Sequence, residues 1–88
     1  FLDRMLYHSS GDTRMDEALI PKGSPWDGKQ LSQATVHEST GVVPVAIHLG
    51  EDDFLFNPPP HHILRAGQAL IAVGSGAEID RLRRHLAG

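Results

Sequence analysis

A closely spaced series of apolar runs and turn residues, between positions 42 and 74, most constrains what this chain can fold into. It reads "VVPVAIHLGEDDFLFNPPPHHILRAGQALIAVG". The β-branched "VVPVAIHLG" predicts a strand, interrupted at one edge by Pro44, and "FLFN" predicts a second strand after a hairpin-length turn. "ALIAVGS" is apolar enough to be a strand buried on both faces. Because connections this short join antiparallel neighbours, the segment predicts an antiparallel sheet with "ALIAVGS" in a central position.

The residues before this segment predict one further strand and a short helix. "RMDEALIP", at residues 14–21, mixes polar and apolar residues and ends at a proline, so we expect a short strand. "GKQLSQATVHESTG" follows helical spacing, with an inner face formed by Leu31, Ala34 and Val36. Gly41 stands where a helix commonly ends in a left-handed residue.

The last residues, "GSGAEIDRLRRHLAG", predict a second helix. Ser75 and Glu78 have the spacing of a capping box, in which each side chain accepts from the other's backbone N–H. Ile79, Leu82 and Leu86 form the apolar stripe. The resulting order of strand, helix, strand, strand, strand, helix predicts an α+β fold, a small antiparallel sheet packed against two helices.

Length and charge limit the possible partners. At 88 residues a single domain buries a small share of its surface, so pairing with a partner subunit would add to its stability. The formal charge of -3 argues against a nucleic-acid partner, because phosphate backbones attract basic surfaces. The longest apolar run falls far short of the roughly 20 residues that cross a bilayer. We therefore expect no nucleic acid and no direct membrane insertion.

Two clusters supply the oxygen and imidazole groups that bind metal ions, namely residues 51–53 ("EDD") and the pair His61 and His62. Neither has a recognised spacing, and adjacent histidines on an extended segment point to opposite sides. A solvated turn and a loop are the simpler interpretation, so we predict no metal site. The chain also has no cysteine, and no nucleophile elbow, phosphate loop or metalloprotease helix. We therefore predict that it is not an enzyme.

Several motifs occur in a recognisable order along the chain. They are "GSPWDGKQL" at residues 23–31, "TGVVPVAI" at residues 40–47, "NPPP" at residues 57–60 and "LRAGQALIAVG" at residues 64–74, followed by the closing helix. As an ordered set, covering roughly residues 14–87, they resemble the C-terminal lobe of the regulator of potassium conductance family, also called the RCK_C or TrkA-C domain.

This resemblance implies a domain organisation and a role. Residues 1–13 would be the end of a linking helix from an upstream nucleotide-binding lobe, and residues 14–88 the TrkA-C regulatory domain. Such lobes form homodimers in the cytoplasm and are attached to the inner membrane through their parent protein. They regulate a potassium channel, a potassium uptake system or a cation antiporter by ligand-dependent dimer rearrangement. The implied partners are a second copy, the upstream lobe and a membrane transport subunit.

The resemblance also implies a small nucleotide ligand, cyclic di-AMP, held between two copies. The matching ligand-binding positions are Val45, Ala46, Ile47, His48, Leu49, Asn57 and Pro58. The family pattern often has arginine directly after "AI", where this chain has His48 and Leu49, and histidine is mostly neutral at pH 7. The alternative to ligand sensing is a structural dimerisation lobe that binds no ligand.

Overall fold

The computed structural model describes residues 13–88. The predicted end of a linking helix, over residues 1–13, lies outside the described residues except for Thr13. Within the described part, four strands and three helical segments follow one another. Their bounds are β1 (Arg14–Leu19), α1 (Leu31–Ala34), α2 (Val36–Thr40), β2 (Val43–Gly50), β3 (Asp53–Phe56), β4 (Ala69–Gly74) and α3 (Gly76–Ala87). The predicted α+β class is confirmed.

The strands form one antiparallel sheet in the order β1-β4-β2-β3. β4 pairs with both β1 and β2, which confirms the central position predicted from its apolar sequence. β2 and β3 form the predicted hairpin. One row of paired residues crosses the sheet from Ala18 through Leu70 and Ile47 to Leu55. These side chains pack into or against the hydrophobic core.

The core lies between this face of the sheet and the helices. The predicted stripe of α3, formed by Ile79, Leu82 and Leu86, is at most 1% exposed and belongs to the core cluster. Trp26, in the loop between β1 and α1, is 4% exposed and joins the same cluster. Its ring also stacks on His85 of α3, with centroids 6.0 Å apart. The loop before α1 therefore closes one end of the core.

The helix predicted from "GKQLSQATVHESTG" is divided in two at Thr35, which has a left-handed backbone (φ 46, ψ 53). In an unbroken helix Val36 would lie on the side opposite to Leu31 and Ala34, since residues advance by 100° each. The break turns all three side chains into the core, where they are at most 9% exposed. The predicted inner face is thus confirmed, whereas the single continuous helix is wrong because only a broken one can bury Val36.

A full capping box begins α3, as predicted. Ser75 Oγ accepts from the backbone N–H of Glu78 at 3.1 Å, and Glu78 Oε1 accepts from the backbone N–H of Ser75 at 2.8 Å. Gly41, with φ 91, ends α2 in the predicted left-handed conformation. A β-bulge lies between Pro44 and Ala46 of β2, so the proline is accommodated where the ladder is already irregular.

Candidate ligand-binding face

The face of the sheet opposite the core carries an apolar surface that no described helix covers. Side chains alternate along a strand, and Ala18, Leu70 and Ile47 point to the core, so their neighbours along each strand point the other way. This surface, called the open face below, comprises Met15, Glu17, Leu19, Val43, Ala46, His48, Phe54, Phe56, Ala69, Ile71 and Val73.

Several large apolar side chains of the open face are strongly exposed. The exposed fraction is 65% for Met15, 62% for Leu19, 51% for Val43 and 73% for Phe56. Between them, Ala46 and Ala69 are small and almost fully buried. The middle of the open face is therefore formed by the small side chains of alanines, and larger side chains surround it. Exposed apolar surface that is contiguous in this way is typical of an interaction site.

Three aromatic rings stack along one side of the open face. His48 of β2 and Phe54 of β3 face each other across the hairpin with centroids 4.4 Å apart and planes 12° from parallel. Phe54 in turn stacks on Phe56 at 5.9 Å. Both phenylalanines lie on the edge strand β3. The stack on Phe54 fixes the plane of the His48 ring and covers one side of it with an apolar surface.

Both ring nitrogens of His48 lie against oxygen atoms. Nδ1 is 2.6 Å from Glu17 Oε2, and Nε2 is 2.6 Å from the backbone carbonyl oxygen of Glu51. A carbonyl and a carboxylate oxygen are acceptors, so this geometry favours the imidazolium form of the ring, in which both nitrogens donate. Glu17 reaches His48 diagonally across β4, over Ala69, which is in register with His48. The small side chain at position 69 leaves this path open.

These contacts change the charge expected for His48. The hydrogen bond to Glu17, followed by the one to the Glu51 carbonyl, raises the pKa of His48 above its ordinary value of 6.5. The charges of Glu17 and Asp52 act in the same direction. The sequence-based expectation took the pKa of an isolated side chain, and these contacts shift the equilibrium of His48 toward its protonated form.

The seven residues predicted to bind ligand do not share one face. Ala46 and His48 lie on the open face. Ile47 points to the opposite side, where it is fully buried in the core, and Leu49 packs against the same core. In a single copy of this domain, the side chains of Ile47 and Leu49 attach β2 to the core between the sheet and the helices.

The other three predicted residues lie at the end of the hairpin. Val45 is in the bulged stretch of β2, and its carbonyl oxygen accepts from the backbone N–H of Asn57 at 3.0 Å. Asn57 has a left-handed backbone (φ 51) and an exposed side chain, and Pro58 is half-buried. Val45 and Asn57 are thus adjacent. His48 lies two residues beyond Ala46, roughly 7 Å further along the strand.

Of the eleven residues of the open face, the predicted ligand-binding set contains only Ala46 and His48, and it lacks Glu17, Phe54 and Phe56, which surround His48. The signal was present as alternation with a period of two, in "MDEAL" of β1 and "FLF" of β3. Alternation alone does not predict which residues are neighbours across the sheet. Glu17 and His48 meet across β4, which lies between their two strands.

Of the two clusters considered for metal binding, residues 51–53 lie at the turn beside His48, and His61 and His62 lie in the loop between β3 and β4. In residues 13–88, no group of three or more histidine, cysteine or acidic side chains is placed to hold a metal ion. His62 instead lies 3.4 Å from Gln68 Oε1, within the loop that precedes β4. No helix in the described part of the chain has the length and hydropathy of a membrane span.

The chain is similar to proteins of a known family. A family model described as the TrkA-C domain matches residues 15–87. Potassium channel protein 1 of Methanocaldococcus jannaschii is 29% identical over 69 residues, which cover 78% of this chain and 20% of that protein. The chain thus spans about a fifth of the length of this curated relative.

Solved structures share the fold. The RCK_C domain dimer of S. agalactiae BusR, in complex with c-di-AMP, aligns with a TM-score of 0.76 and 25% identity, over 83% of this chain and 95% of that one. The RCK C domain of the potassium transport protein KtrA, also in complex with c-di-AMP, aligns with a TM-score of 0.74 and 20% identity, over 94% and 92%. BusR in complex with its busAB-promotor DNA aligns with a TM-score of 0.76 and 22% identity, over 98% of this chain and 44% of that one.

Proposed function

This chain belongs to the TrkA-C domain family, and we propose that it is a cytoplasmic, ligand-sensing dimerisation domain that regulates a potassium channel, potassium uptake system or cation antiporter. The observation that carries the proposal is the open face, an exposed apolar surface that contains the Glu17–His48 pair. It lies on a domain whose family is identified. The role is regulatory and not enzymatic. Its parent protein would supply the upstream nucleotide-binding lobe and the link to the inner membrane.

We take the open face to be the surface on which a second copy docks. Met15, Leu19 and Phe56 are each more than half exposed there, and a small domain gains stability by covering such side chains. A two-fold arrangement would bring the same surface of both copies together. The BusR RCK_C domain is itself a dimer, which supports this choice of partner.

Cyclic di-AMP is the proposed ligand, bound between the two copies. Ala46, His48, Asn57 and Pro58 would line the site, with the backbone of Val45 beside them. The amide of Asn57 has both a donor and an acceptor for an adenine edge, and the imidazolium of His48 would donate to a phosphate oxygen. Ile47 and Leu49 would act indirectly, by anchoring β2 to the core.

The proposed regulation is a shift between dimer geometries. A ligand that binds one geometry more tightly than another changes the equilibrium by that difference in affinity. The domain itself is not proposed to bind nucleic acid, since its formal charge is -3. The BusR structure with DNA contains more than half of its chain outside the region aligned with this domain.

Thermal unfolding with cyclic di-AMP tests the ligand. A ligand that binds only the folded state stabilises it, by about 2.7 kcal/mol at a concentration of 100 Kd, so the Tm should rise. His48→Ala should remove the shift, because it deletes the donor to the phosphate. His61→Ala provides the matched control, since this exposed loop histidine belongs to no strand of the sheet, and it should retain the shift.

The same measurement separates the alternative. If cyclic di-AMP, mononucleotides, calcium and zinc all leave the Tm unchanged, the ligand-sensing role is wrong. The domain would then be a structural dimerisation lobe that binds no ligand.

A further inference from the structure

The contact between Glu17 and His48 places a carboxylate where an anionic ligand would bind. Glu17 Oε2 lies 2.6 Å from His48 Nδ1, on the open face and across β4 from the proposed nucleotide site. Glu17 is anchored on β1, outside every motif that identified the domain. Its carboxylate therefore occupies the hydrogen-bonding position on the imidazolium that a ligand phosphate would need.

We propose that Glu17 is an intramolecular competitor for the ligand: it occupies Nδ1 of His48 in the free domain, and an anionic ligand binds by taking its place. This inference rests on the proposed function, because it assumes that the ligand is an anion bound beside β2. It adds a residue and a mode of regulation that the ligand-binding positions by themselves do not contain.

The remaining contacts of His48 are suited to such an exchange. Nε2 stays on the Glu51 carbonyl and the ring stays stacked on Phe54, so the imidazolium keeps its position when Nδ1 changes partner. Glu17 is the more accessible member of the pair, because its side chain is 47% exposed and the His48 side chain only 27%. Exposed ion pairs contribute little to stability, so the carboxylate is released easily and water can solvate it.

The charges of Glu17, on β1, and of Asp52, in the turn after β2, both favour the protonated form of His48. Phe54 of β3, which stacks on the ring, and Ala69 of β4, which is in register with His48, carry no charge. The cation nearest to Glu17 by hydrogen bond is Arg83 of α3, which donates to the Glu17 backbone carbonyl oxygen at 3.1 Å. An incoming phosphate would meet the Glu17 carboxylate at His48, and removal of this carboxylate would lower the repulsion as well as free Nδ1.

Glu17 has two effects on the binding of an anionic ligand, and measurements at two pH values separate them. The carboxylate blocks Nδ1, but it also raises the pKa of His48 and so keeps the ring charged as the pH rises. At about pH 5.5, roughly one unit below the ordinary histidine pKa, the ring is mostly protonated with or without Glu17. Without Glu17, the ring loses its proton at lower pH than in the wild-type domain. The competition is therefore visible alone at about pH 5.5, and the loss of charge appears near pH 8.

The test compares wild type with Glu17→Gln by calorimetric titration of cyclic di-AMP at about pH 5.5 and about pH 8. At the lower pH, Glu17→Gln should bind about twofold to fivefold more tightly, the range that corresponds to an exposed ion pair. At the higher pH this advantage should disappear, because the variant must take up a proton to bind. Asp16→Asn is the matched control: it removes the same charge from β1, but Asp16 pairs with Arg83 of α3, and its affinity should stay at the wild-type value.

Imidazole NMR of His48, with cyclic di-AMP and with inorganic pyrophosphate, separates this inference from the proposed function. If cyclic di-AMP binds with equal affinity to wild type and Glu17→Gln at about pH 5.5, the competition is refuted and the ligand stands. If cyclic di-AMP does not bind but pyrophosphate shifts the His48 resonances more in Glu17→Gln than in wild type, the competition stands and the proposed ligand is wrong. If neither anion moves these resonances in any variant, both fail.

Discussion

At the residue scale, Glu78 connects the start of α3 to two glycines. Its carboxylate accepts from the backbone N–H of Ser75. A Cβ built on Gly41 would lie 2.6 Å from Glu78 Oε2, and one built on Gly74 would lie 2.9 Å from Oε1. Such distances are too short for real Cβ atoms. A Cβ at either position would displace the Glu78 carboxylate from this arrangement, and at Gly41 the φ of 91 also favours glycine.

Comparison of Gly41→Ala with Gly23→Ala tests this close approach. Gly23 has nearly the same φ, at 88, but a Cβ there meets nothing within 4 Å. Gly23→Ala should cost about 1–2 kcal/mol, the strain of a left-handed backbone, and Gly41→Ala should cost more because it also displaces Glu78. Urea unfolding with equal m-values measures both. Equal losses of stability would show that backbone strain alone explains the glycine at position 41.

At the element scale, periodicity predicted which segments become strands and helices, and local chemistry decided where they end. β4 is apolar at every position and lies inside the sheet, and the capping box begins α3 where Ser75 and Glu78 indicated. The break between α1 and α2 was not predictable from the helical period. Thr35 adopts a left-handed backbone that a β-branched residue rarely tolerates, and the burial of Val36 on the other side of it offsets this cost.

The capping box of α3 can be tested by Ser75→Ala. Removal of the hydroxyl leaves the N–H of Glu78 without its acceptor, and such a change costs typically about 1 kcal/mol. In a domain of this size that loss lowers the Tm by about 4–8 °C. Ser75→Asp, which retains an acceptor at the same position, should restore most of the Tm. Thermal unfolding followed by circular dichroism measures both, and an unchanged Tm in Ser75→Ala would exclude a stabilising role for the cap.

At the scale of the whole molecule, the elements within residues 13–88 cover one side of the sheet and leave the other open. The helices and the Trp26 loop enclose the core, while the open face leaves Met15, Leu19 and Phe56 exposed. Sequence alternation indicates that each strand has two kinds of face. Only the register between strands gathers the exposed residues of four separate segments into one surface.

The proposed dimer is tested by Phe56→Asp, which places a charge at the most exposed aromatic residue of the open face. The wild-type Tm should rise with protein concentration, as it does when association stabilises the folded state, and Phe56→Asp should abolish that dependence. Ile63→Asp is the matched control, because Ile63 is an exposed apolar residue, at 40%, outside the sheet. Sedimentation gives the mass directly, and a dimeric Phe56→Asp variant would exclude the open face as the interface.

The sequence by itself determined the elements, their antiparallel pairing, the core stripe of α3 and the family, because these depend on short-range periodicity and on motifs that can be read along the chain. It also predicted His48 as one of the residues that contact the proposed ligand. Only the tertiary structure decided that Glu17 pairs with His48 and raises its pKa, since these residues are 31 positions apart and meet across an intervening strand. The buried position of Ile47 likewise follows from the register of the sheet. Alternation with a period of two divides the residues of a strand between two faces, but it does not say which face packs on the core.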